Sequence, residues 1–164
     1  MDVALISDTH IPSRASRIPD SFRRRIESAD HVIHAGDFDS EGALSNVRAL
    51  APRLTAVSGN MDRRFGLPDR ATVELGGVTF VVTHGTGSKR GYEDRVVTVV
   101  REEADSRAIG VAGHTHELLD TTHRGVRLLN PGSATGAAPA DRATMLVATV
   151  SDGDLDASVI DAEE

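Results

Sequence analysis

The tetrapeptide Gly113-His114-Thr115-His116 follows the apolar run Ala108–Ala112, where a buried strand runs out into a loop. If the chain stays extended there, residues two apart share a side. His114 and His116 then aim both imidazoles into one space, which suits a metal ion better than a packed core. Other apolar runs end the same way. Val3–Ser7 leads into Asp8-Thr9-His10, His31–Ala35 into Gly36-Asp37, Leu54–Ser58 into Gly59-Asn60-Met61-Asp62, and Val78–Thr83 into His84-Gly85. The collected set is Asp8, His10, Asp37, Asn60, His84, His114 and His116, and it holds four of the seven histidines. Scattered polar strand ends are the alternative. A buried carboxylate without compensation is costly, however, and a metal offsets that cost.

Seven nitrogen and oxygen donors exceed the needs of one first-row ion and suit two ions that share a carboxylate. Two divalent ions roughly 3.5–4 Å apart can clamp a phosphate and activate a water between them. Two carboxylates plus a bridging hydroxide leave such a site with about one unit of positive charge, which suits an anionic substrate. The donor mix favours Mn, Fe, Co, Ni or Zn over Ca or Mg.

These residues need strands to carry them. The first sixty residues alternate strand and helix, with a helix expected from Ser21 to about Ser28 capped by Asp20, and another from Ser40 to Leu50. Open α/β sheets place their sites at the C-terminal ends of such strands. Ala71–Leu75 and Val78–Thr83 flank Gly76-Gly77 as a hairpin. A helix from about Tyr92 to Ala104, with Val96, Val99 and Val100 inward, precedes the strand Ala108–Ala112. Gly125–Leu129 is a strand closed by the turn Asn130-Pro131-Gly132-Ser133, and Thr144–Val150 and Leu155–Ile160 form a last hairpin. The expectation is a parallel first half, a second half of hairpins, and a frayed end at Ala162–Glu164.

At 164 residues the chain is expected to be one domain. Aromatics make up only 3%, with no Trp, so no base-stacking platform is evident. With no Cys, disulfides and thiolate chemistry are excluded. The net charge of -7 does not favour non-specific nucleic-acid binding. No signal peptide or membrane span is evident, so a cytoplasmic location is expected. Of the 18 Lys and Arg residues, Lys89 alone is lysine, and Asp is abundant. This pattern fits a high-salt archaeal cytoplasm, with a GC-rich genome as the alternative.

In this order, Asp8-Thr9-His10, Gly36-Asp37, Gly59-Asn60-Met61-Asp62, Thr83-His84-Gly85 and Gly113-His114-Thr115-His116 resemble the calcineurin-like metallophosphoesterases. The short length and the Asn130–Ser133 turn are similar to their small archaeal and bacterial phosphodiesterase branch. The resemblance spans residue 3 to about 160. It implies an α/β fold, a four-layer αββα sandwich of two packed mixed sheets with outer helices. It also implies two divalent transition-metal ions, with Mn or Ni favoured and Fe, Co or Zn allowed. Asp8, His10 and His116 would hold the first, Asn60, His84 and His114 the second, and Asp37 would bridge. Asp37, Asn60 and His84 would then act in catalysis through the metals, with a bridging hydroxide attacking a small phosphodiester substrate in line. Larger members carry a His after the Asn that protonates the leaving group; Met61 stands there, and a thioether donates no proton. Asp62 is a candidate substitute, and the preferred reading makes it an acceptor that orients His10.

Remaining candidates have plainer readings beside functional ones. His31 and His34 read as packing at a strand, and His123 as an exposed turn residue. Lys89 and Arg90 could close over a phosphate or be solvated loop charges, and Arg14 and Arg17 carry the same two readings. Arg23–Arg25 reads as a solvated helix face. Substrate-binding residues are not assigned. Two further function classes stand beside the phosphodiesterase: a phosphomonoesterase, and a non-catalytic scaffold like the relatives in the retromer coat. A homodimer is compatible with the sequence, and the charge weighs against a nucleic-acid partner.

Overall fold

The strand–helix alternation of the first sixty residues becomes β1 (Asp2–Ile6), α1 (Asp20–Ser28), β2 (His31–His34), α2 (Glu41–Leu50) and β3 (Leu54–Ala56). The computed structural model describes residues 1–62, 64–105 and 107–162. The expected fraying of Ala162–Glu164 thus falls on a segment whose last two residues lie outside the described ones. β4 (Arg70–Leu75), β5 (Val78–Thr83), α3 (Tyr92–Glu103), β6 (Ile109–Val111), β7 (Leu118–His123), β8 (Val126–Pro131), β9 (Thr144–Ser151) and β10 (Asp154–Asp161) complete the order.

Ten strands form two sheets of five, ordered β10-β9-β1-β2-β3 and β4-β5-β6-β8-β7. In the first, β1, β2 and β3 run parallel, with Val3 opposite His31 and Val32 opposite Leu54, while β9 and β10 are antiparallel. In the second, β5, β6 and β8 run parallel and the edges β4 and β7 are antiparallel. The second half is largely hairpins as expected, β4-β5, β7-β8 and β9-β10, with β6 added by a parallel crossover. The crossover through α3 makes β5-α3-β6 a parallel unit, and each sheet carries parallel strands at its centre.

Strand periodicity divides the core. Val3, Leu5 and Ile33 meet Phe80, Val82 and Val111 between the sheets. Their neighbours Ala4, Ile6 and Val32 point the other way, against Phe22 and Ile26 of α1 and Leu44 and Val47 of α2. Val81 and Leu128 of the second sheet pack outward on Val96, Val97 and Val100 of α3. The layers are α1/α2, sheet, sheet, α3, as the four-layer expectation had it. Complete burial of Phe22 or Ile26 contributes about 1.5–3 kcal/mol each. Of the expected inward stripe on α3, Val99 is only partly buried and Val97 takes its place.

Local differences have local causes. Pro19 caps α1, and Asp20 is its first helical residue, where a carboxylate still meets the positive helix end. Ser40 caps α2 as expected, its hydroxyl accepting from the Ala43 amide at 3.0 Å. The segment 118–123, expected to end in a turn at His123, is the edge strand β7. Its turn is Arg124-Gly125, both at positive φ as a two-residue hairpin requires. No helix is long and apolar enough to cross a membrane among the described residues.

Candidate metal centre

Because β1, β2 and β3 of one sheet and β5 and β6 of the other are followed by the candidate residues, all seven sit at strand C-terminal ends. Asp8, His10 and His116 bring one donor atom each within 4.8 Å of one another, and Asp37, His84 and His114 do the same. Asp8, His10, Asp37, His84 and His116 are buried, His114 is half-buried and Asn60 is exposed at the rim. Asn60 lines a cavity beside His84.

The backbone that achieves this is not extended. Asp8, His10, Asp37, Asp39, His114 and His116 all have φ between 44° and 78°. The parity argument for His114 and His116 is therefore corrected: two left-handed residues, not a continuing strand, turn the two imidazoles inward. Such conformations cost about 1–3 kcal/mol each and persist where the surroundings over-determine them. Here those surroundings are the hydrogen bonds described below.

Hydrogen bonds to the far ring nitrogens fix the tautomers of the centre. His116 Nδ1 lies 2.8 Å from the Ala137 carbonyl and His84 Nδ1 lies 2.7 Å from the Ala35 carbonyl. His10 Nδ1 lies 2.9 Å from the Asp39 carboxylate. Carbonyls and carboxylates only accept, so each Nδ1 carries the proton and each neutral ring presents its Nε2 lone pair inward. His10 Nε2 and His116 Nε2 then face each other at 3.1 Å. Asp8 Oδ1 lies 3.3 Å from His116 Nε2 and 3.6 Å from His10 Nε2, and Asp37 Oδ2 lies 3.1 Å from His84 Nε2 and 3.5 Å from His10 Nε2. Asp8 Oδ1 and His84 Nε2 are buried without a hydrogen-bond partner. His114 is turned over: its Nε2 donates to the Gly87 carbonyl at 2.8 Å, which leaves Nδ1 as its free lone pair.

A buried space lined only by acceptors must be filled by cations. Protons are one answer. Burial alone would lower the His84 imidazole, but the adjoining Asp37 and Asp8 carboxylates push it up to about 9. Burial would likewise raise the Asp8 carboxyl, and His10, His116 and His84 reverse that and hold it well below the usual carboxylate range. Divalent ions are the other answer, and the donor set fits them: imidazoles with their far nitrogens already fixed, plus carboxylates with free oxygens. Asp37 Oδ2 lies near a histidine of each trio, the place a shared ligand would need.

The supporting residues were only partly anticipated. Asp62, expected to orient His10, does something else. Its buried carboxylate accepts from the amides of Asp37 at 2.6 Å, Phe38 at 3.0 Å, Asp39 at 3.0 Å and Gly59 at 3.1 Å. It holds the left-handed loop that carries Asp37, and Asp39 is the residue that orients His10. Asp39 repeats the two-apart spacing from Asp37, which was the available signal. Asn130 Nδ2 donates to the Gly113 carbonyl at 3.1 Å and to Thr115 Oγ1 at 2.9 Å, and Ser133 Oγ donates to the Asp8 carbonyl at 2.7 Å. The Asn130–Ser133 turn thus pins the loops of Asp8 and His114. Gly113 must be glycine, since a Cβ there would stand 2.0 Å from Ser7 Oγ and 2.6 Å from Asp8 Oδ2.

Three of the charged candidates have partners of their own. Lys89 pairs with Glu117, Arg17 with Asp20, and Arg14 donates to the Ala138 carbonyl at 2.9 Å. His123 is half-buried on β7 and bridges Glu93 and Asp94 at 3.2 and 2.7 Å, not an exposed turn residue. His34 is wholly buried and stacks on Phe38.

Residues 1–153 match the calcineurin-like phosphoesterase superfamily domain. A probable metallophosphoesterase of Methanothermobacter thermautotrophicus is 34% identical over 163 residues, covering 98% of this chain and 92% of that protein. Vps29 of Chaetomium thermophilum has a similar fold, with a TM-score of 0.81 at 20% identity over 98% of this chain and 96% of the other. Vps29 of Entamoeba histolytica, solved with Zn²⁺, gives 0.69 at 26% identity over 99% and 100%. With its matched domain, its two-sheet fold and its converging histidines and aspartates, the chain belongs to the calcineurin-like phosphoesterase superfamily.

Proposed function

We propose that the chain is a metal-dependent phosphodiesterase with two divalent ions, the first held by Asp8, His10 and His116, the second by Asn60, His84 and His114, and Asp37 shared. The observation that carries this reading is the convergence of three Nε2 lone pairs and two carboxylates on one buried space, with Asp8 Oδ1 and His84 Nε2 unpartnered. When bound, the ions would supply the positive charge that draws a phosphate and would acidify the water that attacks it. Mn or Ni is favoured, with Fe, Co and Zn allowed by the same donors. The protein's part is to hold ligand geometry. Asp39, Ala35 and Ala137 fix three ring tautomers, Gly87 fixes the fourth, and Asp62 fixes the shared aspartate.

A diester is favoured over a monoester by charge and by proton supply. A monoester dianion asks for extra cations, yet Lys89 and Arg17 are paired with carboxylates and Arg14 is bonded to the Ala138 carbonyl. Met61, half exposed, offers no proton to a poor leaving group. The likeness to Vps29 supports a second reading, a scaffold that acts by binding. The test is hydrolysis of aryl phosphodiesters and monoesters across Mn, Ni, Co, Fe and Zn, before and after chelation. Diester turnover that chelation abolishes is expected; no turnover with any metal would favour the scaffold.

A further inference from the structure

A cavity of about 320 Å³ opens beside His84 and Asn60, between the end of β3, the end of β5 and α3. That size is at the lower end of small-molecule sites. We propose that it is a subsite for one alcohol arm of the diester, and that the arm it takes is a small, neutral, hydroxylated aliphatic group. This rests on the phosphodiesterase reading, since a diester phosphate held beside His84 carries two arms, and the retained one extends toward this cavity.

The walls define the class. Val96 and Val99 make an apolar floor. Around it stand the Asn60 amide, the Asp69 carboxylate and the Thr83 and Thr86 hydroxyls, none of which has a side-chain hydrogen bond among the described residues. A few unspent polar groups over an apolar floor are what a recognition site offers. Arg95 also lines the cavity; its terminal nitrogens donate to the carbonyls of Gly85 at 3.1 Å, Ser88 at 2.7 Å and Arg90 at 3.2 Å, and its buried Nε has no hydrogen-bond partner among the described residues. The open functions are thus the Asn60 NH₂ group, whose oxygen the second ion would take, two hydroxyls and an exposed carboxylate, which hydroxyl groups on the ligand satisfy. Asp69 and the Arg95 guanidinium give the lining one charge of each sign, which favours a neutral arm over an anionic or a cationic one. An aryl or nucleobase arm would find no Phe, Tyr or Trp ring to stack on among the lining residues.

The experiment uses the metal-loaded full chain and diesters that share one nitrophenyl leaving group. The other arm is methyl, glyceryl, aminoethyl, carboxyethyl, phenyl or nucleoside. The glyceryl diester should exceed the methyl diester in kcat/KM by about tenfold, the size of one or two net hydrogen bonds. Val99→Trp, which fills the floor, should bring that ratio to near one. Thr86→Val, on an exposed loop, should lower it about threefold. Equal turnover of all arms, or a preference for phenyl, nucleoside, aminoethyl or carboxyethyl, overturns the subsite while leaving the phosphodiesterase reading intact. No turnover of any arm overturns that reading first, and the subsite with it.

Discussion

Replacing Asp62 with Asn removes a buried carboxylate whose hydrogen bonds all come from backbone amides. Oδ2 accepts from the amides of Asp37, Phe38 and Gly59, and Oδ1 from those of Phe38 and Asp39. An asparagine keeps one oxygen and turns an NH₂ group toward the remaining N–H donors. In either orientation at least one buried amide loses its acceptor, and the bonds that remain lose their charge. A hydrogen bond to a charged group contributes about 1.5–3 kcal/mol, and an orphaned buried donor costs about 1–3 kcal/mol. The net expectation is a loss of about 3 kcal/mol. For a chain of this length that lowers the apo Tm by roughly 6–12 °C. Asp37 and Asp39 ride on the loop that Asp62 holds, so metal affinity should fall as well. Thermal unfolding of the metal-free protein, followed by titration with Mn, reads both effects. An unchanged apo Tm with unchanged metal affinity would refute the assignment of Asp62 as the holder of this loop.

Three further outcomes follow from the geometry. Asp39→Ala frees the His10 ring, and metal affinity at the first position should fall about 10–100-fold by competition with a chelator; an unaltered affinity would contradict the orienting role. Gly113→Ala would drive a methyl into Ser7 and Asp8, and metal content by elemental analysis should drop below one ion per chain. His34 Nδ1 accepts from the Gly36 amide, and burial lowers its pKa to about 3. The folded pKa lies below the unfolded one of about 6.5, so the unfolded chain binds more protons between them. His34's contribution is therefore complete above about pH 6.5 and is lost as the pH falls toward 3. By ¹⁵N NMR the ring should stay neutral at pH 5, and titration near 6.5 would contradict this.

The strand-end residues were legible because each follows a short apolar run with a chemically specific side chain, and the two-layer strand parity follows from the same runs. His114 and His116 converge by a route the sequence conceals. Non-glycine residues at positive φ leave no compositional mark, and only the Asp8, Asn130 and Gly87 contacts explain why the chain tolerates them. β7 was missed because an edge strand with alternating half-exposed Thr and Asp lacks an apolar run. Asp39 takes the role expected of Asp62, because both are acidic loop residues. Which of them reaches His10 is decided by the fold of the 36–39 loop, not by distance along the chain.

The most direct test of the two-ion centre is anomalous diffraction from crystals grown with Mn, collected at the metal edge. Two peaks roughly 3.5–4 Å apart are expected, with a carboxylate oxygen of Asp37 bound to both and His114 bound through Nδ1. A single peak, or two peaks with Asp37 bound to neither, would contradict the account.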